Sequence, residues 1–287
     1  MEQGSFCISI DLELAWGNWD SLSPEYLQKC LSLERQIANR LLRLFERYEV
    51  CATWAIVGQL LEESSMSSLP EAPAWFAPDI VDLIMRINPR QEIASHSFKH
   101  IYFTDVDENA ILADLRAAQA THRKHGLDFT SFVFPRNKVC HIELLAQAGL
   151  KVFRSVDRGW HMSAARLGGR IGRLANLADK MLPLAPSVVM PIIHPSGMVE
   201  LPSSMLFLAR NGIRRLIHPS VLEYKAKRGL HLAARDHQLF HLWFHPANFY
   251  YEEDGQFTAF ENIVKEAALL RDRGRLEISP MGSFRDA

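Results

Sequence analysis

A chain of 287 residues, 48% hydrophobic and 23% charged, has room for one large α/β domain or two small ones. A net charge of −1 removes any bulk electrostatic case for nucleic acid as a partner, and no apolar run is long enough to predict a transmembrane segment. Four scattered cysteines (Cys7, Cys30, Cys51, Cys140) form no CxxC pair, and Cys7 and Cys51 read as small core residues of a reducing compartment.

The first element is "SFCISIDLELAW", a strand over residues 5–14. Ser23-Pro24 then opens a helix over 23–49, with Leu27, Leu31, Ile37, Leu41 and Leu44 on one stripe. A β-branched and aromatic strand follows over 50–61, turning at Gly58, then a short helix over 77–87 and a brief strand "EIASHS" at 92–97. Residues 108–126 form a helix closed by Gly126, with His122 and His125 facing solvent; 130–135 is a strand, 140–149 a helix and 151–156 a strand. A less regular part spans 160–206. The chain ends with a helix near 218–228, a strand 237–246, a helix 257–274 and a strand 275–281. The basic group "RNGIRR" (210–215) reads as helix or loop surface.

Strand followed by helix, repeated, implies a parallel sheet with helical crossovers. A single barrel-like domain over residues 1–287 is the expectation and an open doubly wound sheet the alternative; no GxGxxG supports a dinucleotide-binding version. In such barrels chemistry gathers at the C-terminal ends of strands. Strand one ends on Asp11 and Glu13, which share a face because side chains alternate along a strand. Two like charges side by side need a positive partner. "SHSFKH" brings His96 and His100, "FPRN" brings Arg136 and Asn137, and "WFHPAN" brings His245 and Asn248. If the chain turns helically after strand three, His96 and His100 come to one side, and two imidazoles with one carboxylate leave open positions on a divalent metal. His241, Trp243 and His245 share a face, so at least one of these histidines is packed.

These residues resemble the polysaccharide deacetylase family, the NodB homology domain of carbohydrate esterase family four. "SIDLE" corresponds to its first motif, "HSFKH" matches H-[ST]-x-x-H, and "LWFH" (242–245) matches L-x-x-H. "ATWAIVG" (52–58), "VELPSS" (199–204) and "RLEISPM" are similar to its strands, so the resemblance covers residues 5–282. It implies a distorted (β/α)7-type barrel and a mononuclear metal hydrolase. Carried over, Asp11 is the catalytic base, Glu13 with His96 and His100 the metal ligands, and His245 the acid; exchange of Asp11 and Glu13 stays open. Two motifs depart. Arg136 of "FPRN" stands in for the arginine that orients the base, and "SVDRGW" (155–160) leaves Asp157 and Trp160 as a faint echo of the fourth motif.

The resemblance implies removal of an N-acyl group, N-acetyl foremost, from an amino sugar. The N-terminus has no basic stretch followed by an apolar one, so a cytoplasmic protein acting on a nucleotide- or lipid-linked sugar in surface-glycan synthesis is expected, with peripheral membrane contact open to "MLPLAPSVVMPIIHPSGMV" (181–199). Zinc suits the ligand set; nickel, cobalt or iron would also be accepted. The alternatives are a small-molecule amidohydrolase of the allantoinase type and a metal-free binding protein that has lost activity.

Overall fold

The computed structural model describes residues 3–62, 69–156 and 185–286. Strand β1 (Gly4–Leu12) is buried along its whole length. Its alternation divides the molecule. Phe6, Ile8, Ile10 and Leu12 point outward into the core shared with the helices, whereas Cys7 joins Ala55, Ala94, Val133, Val152, Leu201 and Leu239 in a separate inner cluster. The small inner residues suit the narrow lumen of a closed sheet.

Helix α1 (Pro24–Arg47) starts as its sequence signal predicts: Ser23 Oγ accepts a hydrogen bond from the Tyr26 N–H at 3.2 Å, and Pro24 occupies the first turn. It buries Ile37, Ala38, Leu41, Leu42 and Phe45 against the sheet. The succession continues with β2 (Thr53–Ile56), α2 (Pro78–Arg86), β3 (Glu92–Ser95), α3 (Glu108–Lys124), β4 (Ser131–Val133), α4 (Ile142–Gln147) and β5 (Val152–Ser155). Then come β6 (Ile192–Ile193), β7 (Val199–Pro202), β8 (Met205–Leu206), α5 (Pro219–Asp236), β9 (Leu239–Phe244), α6 (Glu253–Asp272) and β10 (Leu276–Ile278).

Parallel pairing joins β1 to β2, β3, β4, β5 and β7 in turn on one side, and to β9 and β8 on the other. β7 and β8 are consecutive stretches of one bent segment. Between them, the Ser203 N–H donates to Ser155 O and the Ser204 N–H to His241 O. The segment thus changes partner from β5 to β9 and closes the ring, with β7 and β8 sharing one position. This is the distorted (β/α)7-type barrel, not the open sheet. β10 lies beside the start of β1, and β6 runs antiparallel along β7.

Several boundaries differ from expectation. β2 stops at Ile56 because the chain enters a 3-10 turn (Gly58–Leu61). The part read as less regular contains β6 to β8, whose short runs are interrupted by proline and serine. α5 continues to Asp236, and α6 begins at Glu253. His122 is buried rather than solvent-facing; its Nδ1 lies 2.7 Å from Asp128 O. Cys51 is half-exposed, while Cys30 is buried with Cys7. Arg210 is buried against Glu252 rather than displayed on the surface. Asp157, Trp160 and residues 181–184 lie outside the described residues; beyond them Val189 makes an antiparallel bridge to Leu239.

Candidate active site

The inward-facing residues change character along the barrel. Thr53, Glu92 and Ser131 lie at the N-terminal end, small apolar residues in the middle, then Ser9, Arg154 and His241, and finally Asp11, His96 and His245 at the C-terminal mouth. Ionisable groups from β1, β3, β5 and β9 therefore converge where parallel barrels concentrate their chemistry.

Glu13 follows the last residue of β1. Leu14 takes a left-handed φ of 46°, and a 3-10 turn (Leu14–Asn18) begins at once, with the Trp16 N–H donating to Glu13 O at 2.9 Å. Trp16 anchors that turn by donating from Nε1 to Trp75 O at 2.8 Å. Gly17 makes room for the carboxylate: a Cβ there would sit 1.9 Å from Glu13 Oε1. One oxygen, Glu13 Oε2, faces two imidazoles, at 3.2 Å from His96 Nε2 and 3.0 Å from His100 Nε2.

The two histidines do not meet through a helical turn. Ser97 and His100 adopt left-handed φ values of 63° and 54°, and this kinked loop brings the rings to 5.0 Å between centroids. His96 Nδ1 lies 2.8 Å from Val133 O. A carbonyl only accepts, so Nδ1 carries a proton, and Nε2 is the nitrogen turned to the Glu13 side. Burial pushes the His100 imidazole below its usual pKa, against the opposing pull of Glu13. Glu13 is buried too, which opposes ionisation; the surrounding imidazoles of His245, His100 and His96 nevertheless hold its carboxyl well below the usual range.

Asp11 has a different partner. Arg154, fully buried on β5, donates from Nη1 to Oδ1 and from Nη2 to Oδ2, each at 2.7 Å. The same guanidinium donates to Ser9 Oγ at 3.0 Å and to Asn137 Oδ1 at 2.9 Å, and it stacks 4.4 Å from the Trp243 ring centroid. Burial would raise the Asp11 carboxyl, but the Arg154 charge and hydrogen bonds, with His96 and His245 beside them, together outweigh it and leave the pKa below normal. Arg136 was expected in this role and does not fill it. After β4, Arg136 and Asn137 both take left-handed φ values of 53° and 52°; Asn137 reaches inward to Arg154, and Arg136 turns to the rim. There it donates from Nε to the Tyr102 hydroxyl at 3.3 Å and lies 3.3 Å from Asp20 Oδ1.

His245 stands at the mouth with Nε2 3.3 Å from Glu13 Oε1 and 3.7 Å from Asp11 Oδ2, its side chain 27% exposed. His241, two residues earlier, is the packed histidine. Its Nε2 lies 2.9 Å from Ser9 Oγ, and burial, aided by the Arg154 charge, brings its pKa down to about 3. Arg154 is the residue the sequence reading missed. A lone arginine in the strand "KVFRSV" was its signal, because a charge on a buried strand demands a partner.

The cluster suits a divalent cation. Among the described residues Glu13, His96 and His100 offer three ligand atoms within 4.8 Å of one another, all buried. His100 Nε2, although close to Glu13, has no hydrogen-bond partner. Arg154 balances Asp11, whereas among the described residues Glu13 has no arginine or lysine against it and faces imidazole nitrogens alone. One carboxylate and two imidazoles leave positions open for water and substrate.

Comparison with known proteins bears on the family and the fold. The model of the polysaccharide deacetylase family matches residues 26–152. No curated protein matches the chain. A solved structure from Mycobacterium smegmatis, described as a polysaccharide deacetylase, is 15% identical, with a TM-score of 0.66 over 98% of this chain and 88% of that one. One from Pseudomonas aeruginosa PAO1, also described as a polysaccharide deacetylase, is 11% identical, with the same TM-score over 98% and 89%. PuuE allantoinase is 12% identical at a TM-score of 0.63 over 98% and 89%. The resemblance drawn from the motifs at residues 9–13, 96–100 and 242–245 thus holds at two levels, a polysaccharide deacetylase match over residues 26–152 and that family's barrel over nearly the whole chain.

Proposed function

We propose that the protein is a metal-dependent deacylase that hydrolyses an N-acyl group, N-acetyl foremost, from an amino sugar carried on a nucleotide or a lipid in the cytoplasm. The observation that carries this reading is the convergence of His96 and His100 on one Glu13 oxygen, beside an Asp11 clamped by Arg154. Glu13, His96 and His100 would hold the ion, with zinc the first choice. When bound, such an ion polarises an amide carbonyl and acidifies water.

The chain's own groups supply the proton movements. Asp11 accepts the proton of the attacking water; both its oxygens keep a lone pair beyond the one engaged by Arg154. Arg154 fixes the orientation of that carboxylate and keeps it ionised. His245, exposed to the mouth, delivers a proton to the departing nitrogen, which leaves poorly as an anion. Trp19 and Tyr102, tilted against each other with centroids 6.4 Å apart, offer an aromatic wall beside the mouth, and Arg136 lies next to it. Among the described residues no helix is long and apolar enough to cross a membrane.

The experiment is acetate or formate release from nucleotide-linked N-acyl amino sugars, run beside ureide turnover and elemental analysis. Zinc-loaded protein should release acid, and Asp11→Asn should retain the metal while losing turnover by about 10³-fold or more. Ureide turnover without sugar deacylation moves the assignment to the small-molecule amidohydrolase, whose barrel is that of PuuE allantoinase. Failure to take up any divalent cation removes the enzyme reading.

A further inference from the structure

The loop between the two imidazoles has an unusual construction. Its left-handed residues, Ser97 and His100, adopt a conformation that L-amino acids visit sparingly. Its outward hydrogen bonds run to two neighbouring elements. On one side the Gly58 N–H donates to Ser97 O and the Gln59 N–H to Phe98 O, each at 3.0 Å. Gly58 permits that approach, since a Cβ there would come within 2.7 Å of the Phe98 ring. On the other side Asp114 of α3 receives the Phe98 N–H on Oδ1 at 2.8 Å and the Lys99 N–H on Oδ2 at 2.9 Å. Asp114 is itself buried and touches neither imidazole in these hydrogen bonds.

We infer that Asp114 is a positioning residue that casts the 97–99 loop in its kinked shape, so that His96 and His100 face one point before any ion arrives. A single carboxylate spans two successive main-chain donors, and replacing it frees the stretch of chain that sets the separation of the rings. The role rests on the metal reading above, and it concerns affinity for the ion rather than the chemistry. Groups that orient metal ligands from outside typically matter by 10–100-fold in metal affinity.

The test uses the full chain and zinc or cobalt(II) alone, titrated against a chromophoric chelator, with amide hydrogen exchange followed on metal-free protein. Asp114→Asn keeps size but leaves one neutral acceptor oxygen and puts an NH2 donor against the other main-chain N–H. It should weaken zinc binding by about 10–100-fold, change the cobalt d–d bands and speed exchange at Phe98 and Lys99. Asp114→Glu, which restores two carboxylate oxygens, should recover part of the affinity. Asp107→Ala removes the Asp107 Oδ1 to Ala110 N–H cap of the same helix, so it lowers thermal stability without touching the loop and should leave zinc affinity unchanged. If Asp114→Asn folds and binds zinc as tightly as the parent, Asp114 is merely a packed carboxylate and the inference is overturned. If Asp114→Asn does not fold, parental affinity in Asp114→Glu with unprotected Phe98 and Lys99 amides overturns it. A parental protein that binds neither metal overturns the metal reading itself, whatever the variants do.

Discussion

The two ends of the barrel each hold a carboxylate, and the contrast separates one whose hydrogen bonds are filled from one left facing imidazole nitrogens. At the N-terminal end Glu92 is saturated: Thr53 Oγ1 donates to it at 2.6 Å, Ser131 Oγ donates to its other oxygen, and the Gly282 N–H adds a third bond at 3.0 Å. Donors from three other elements converge, and the charge closes the barrel floor. At the mouth Glu13 meets imidazole nitrogens, one of which makes no hydrogen bond, and its second oxygen faces His245 across 3.3 Å. A saturated carboxylate stabilises; an unsaturated buried one among ligand nitrogens is available to a cation.

Three changes probe that contrast. The largest effect is expected from Arg154→Met, which leaves Asp11 buried without its counter-charge. Breaking a buried pair costs about 3–5 kcal/mol, so urea unfolding should show that loss, and turnover should fall with it while zinc binding at Glu13, His96 and His100 persists. Next comes the pH dependence of stability. His241 is held neutral to about pH 3, whereas an unfolded imidazole titrates near 6.5. Below 6.5 the unfolded chain binds the extra proton, so stability present above that pH is lost as pH falls from 6.5 towards 3. His241→Gln should flatten that part of the curve, read from denaturation midpoints at successive pH values. The smallest effect is expected from Glu92→Gln, which keeps size but weakens three charge-assisted bonds. A loss of about 1–3 kcal/mol is expected, with zinc affinity and turnover unaltered; a changed metal affinity would mean that the two ends are coupled through the lumen.

Much of the site could be read from local pattern. Asp11 and Glu13 on one face of β1, the HSFKH pair and His245 at the end of β9 all follow from short-range spacing, and the structure places them at one mouth. What could not be read was non-local. The partner of Asp11 depends on which strand lies across the lumen, and β5 is distant from β1 in sequence, so the motif pattern points to Arg136 whereas the arginine that meets Asp11 is Arg154. Asn137 shows the same limit. The chain turns through two consecutive left-handed residues, Arg136 and Asn137, and it is the amide and not the charge that ends up facing inward. The histidine loop shares its imidazole convergence with a helical turn but reaches it through main-chain bonds to α3 and the turn after β2.

The bent stretch that carries β7 and β8 has a mechanical side. Arg154 hangs from β5 and His245 follows β9, so the bonds of Ser203 to Ser155 and of Ser204 to His241 act as a rivet between the walls that bear the guanidinium and the imidazole. The Ser204 hydroxyl, accepting the His241 N–H at 3.1 Å, adds a second fastening at the same spot. The spacing of the Arg154 guanidinium and the His245 imidazole across the cavity is therefore maintained by two serines that touch neither.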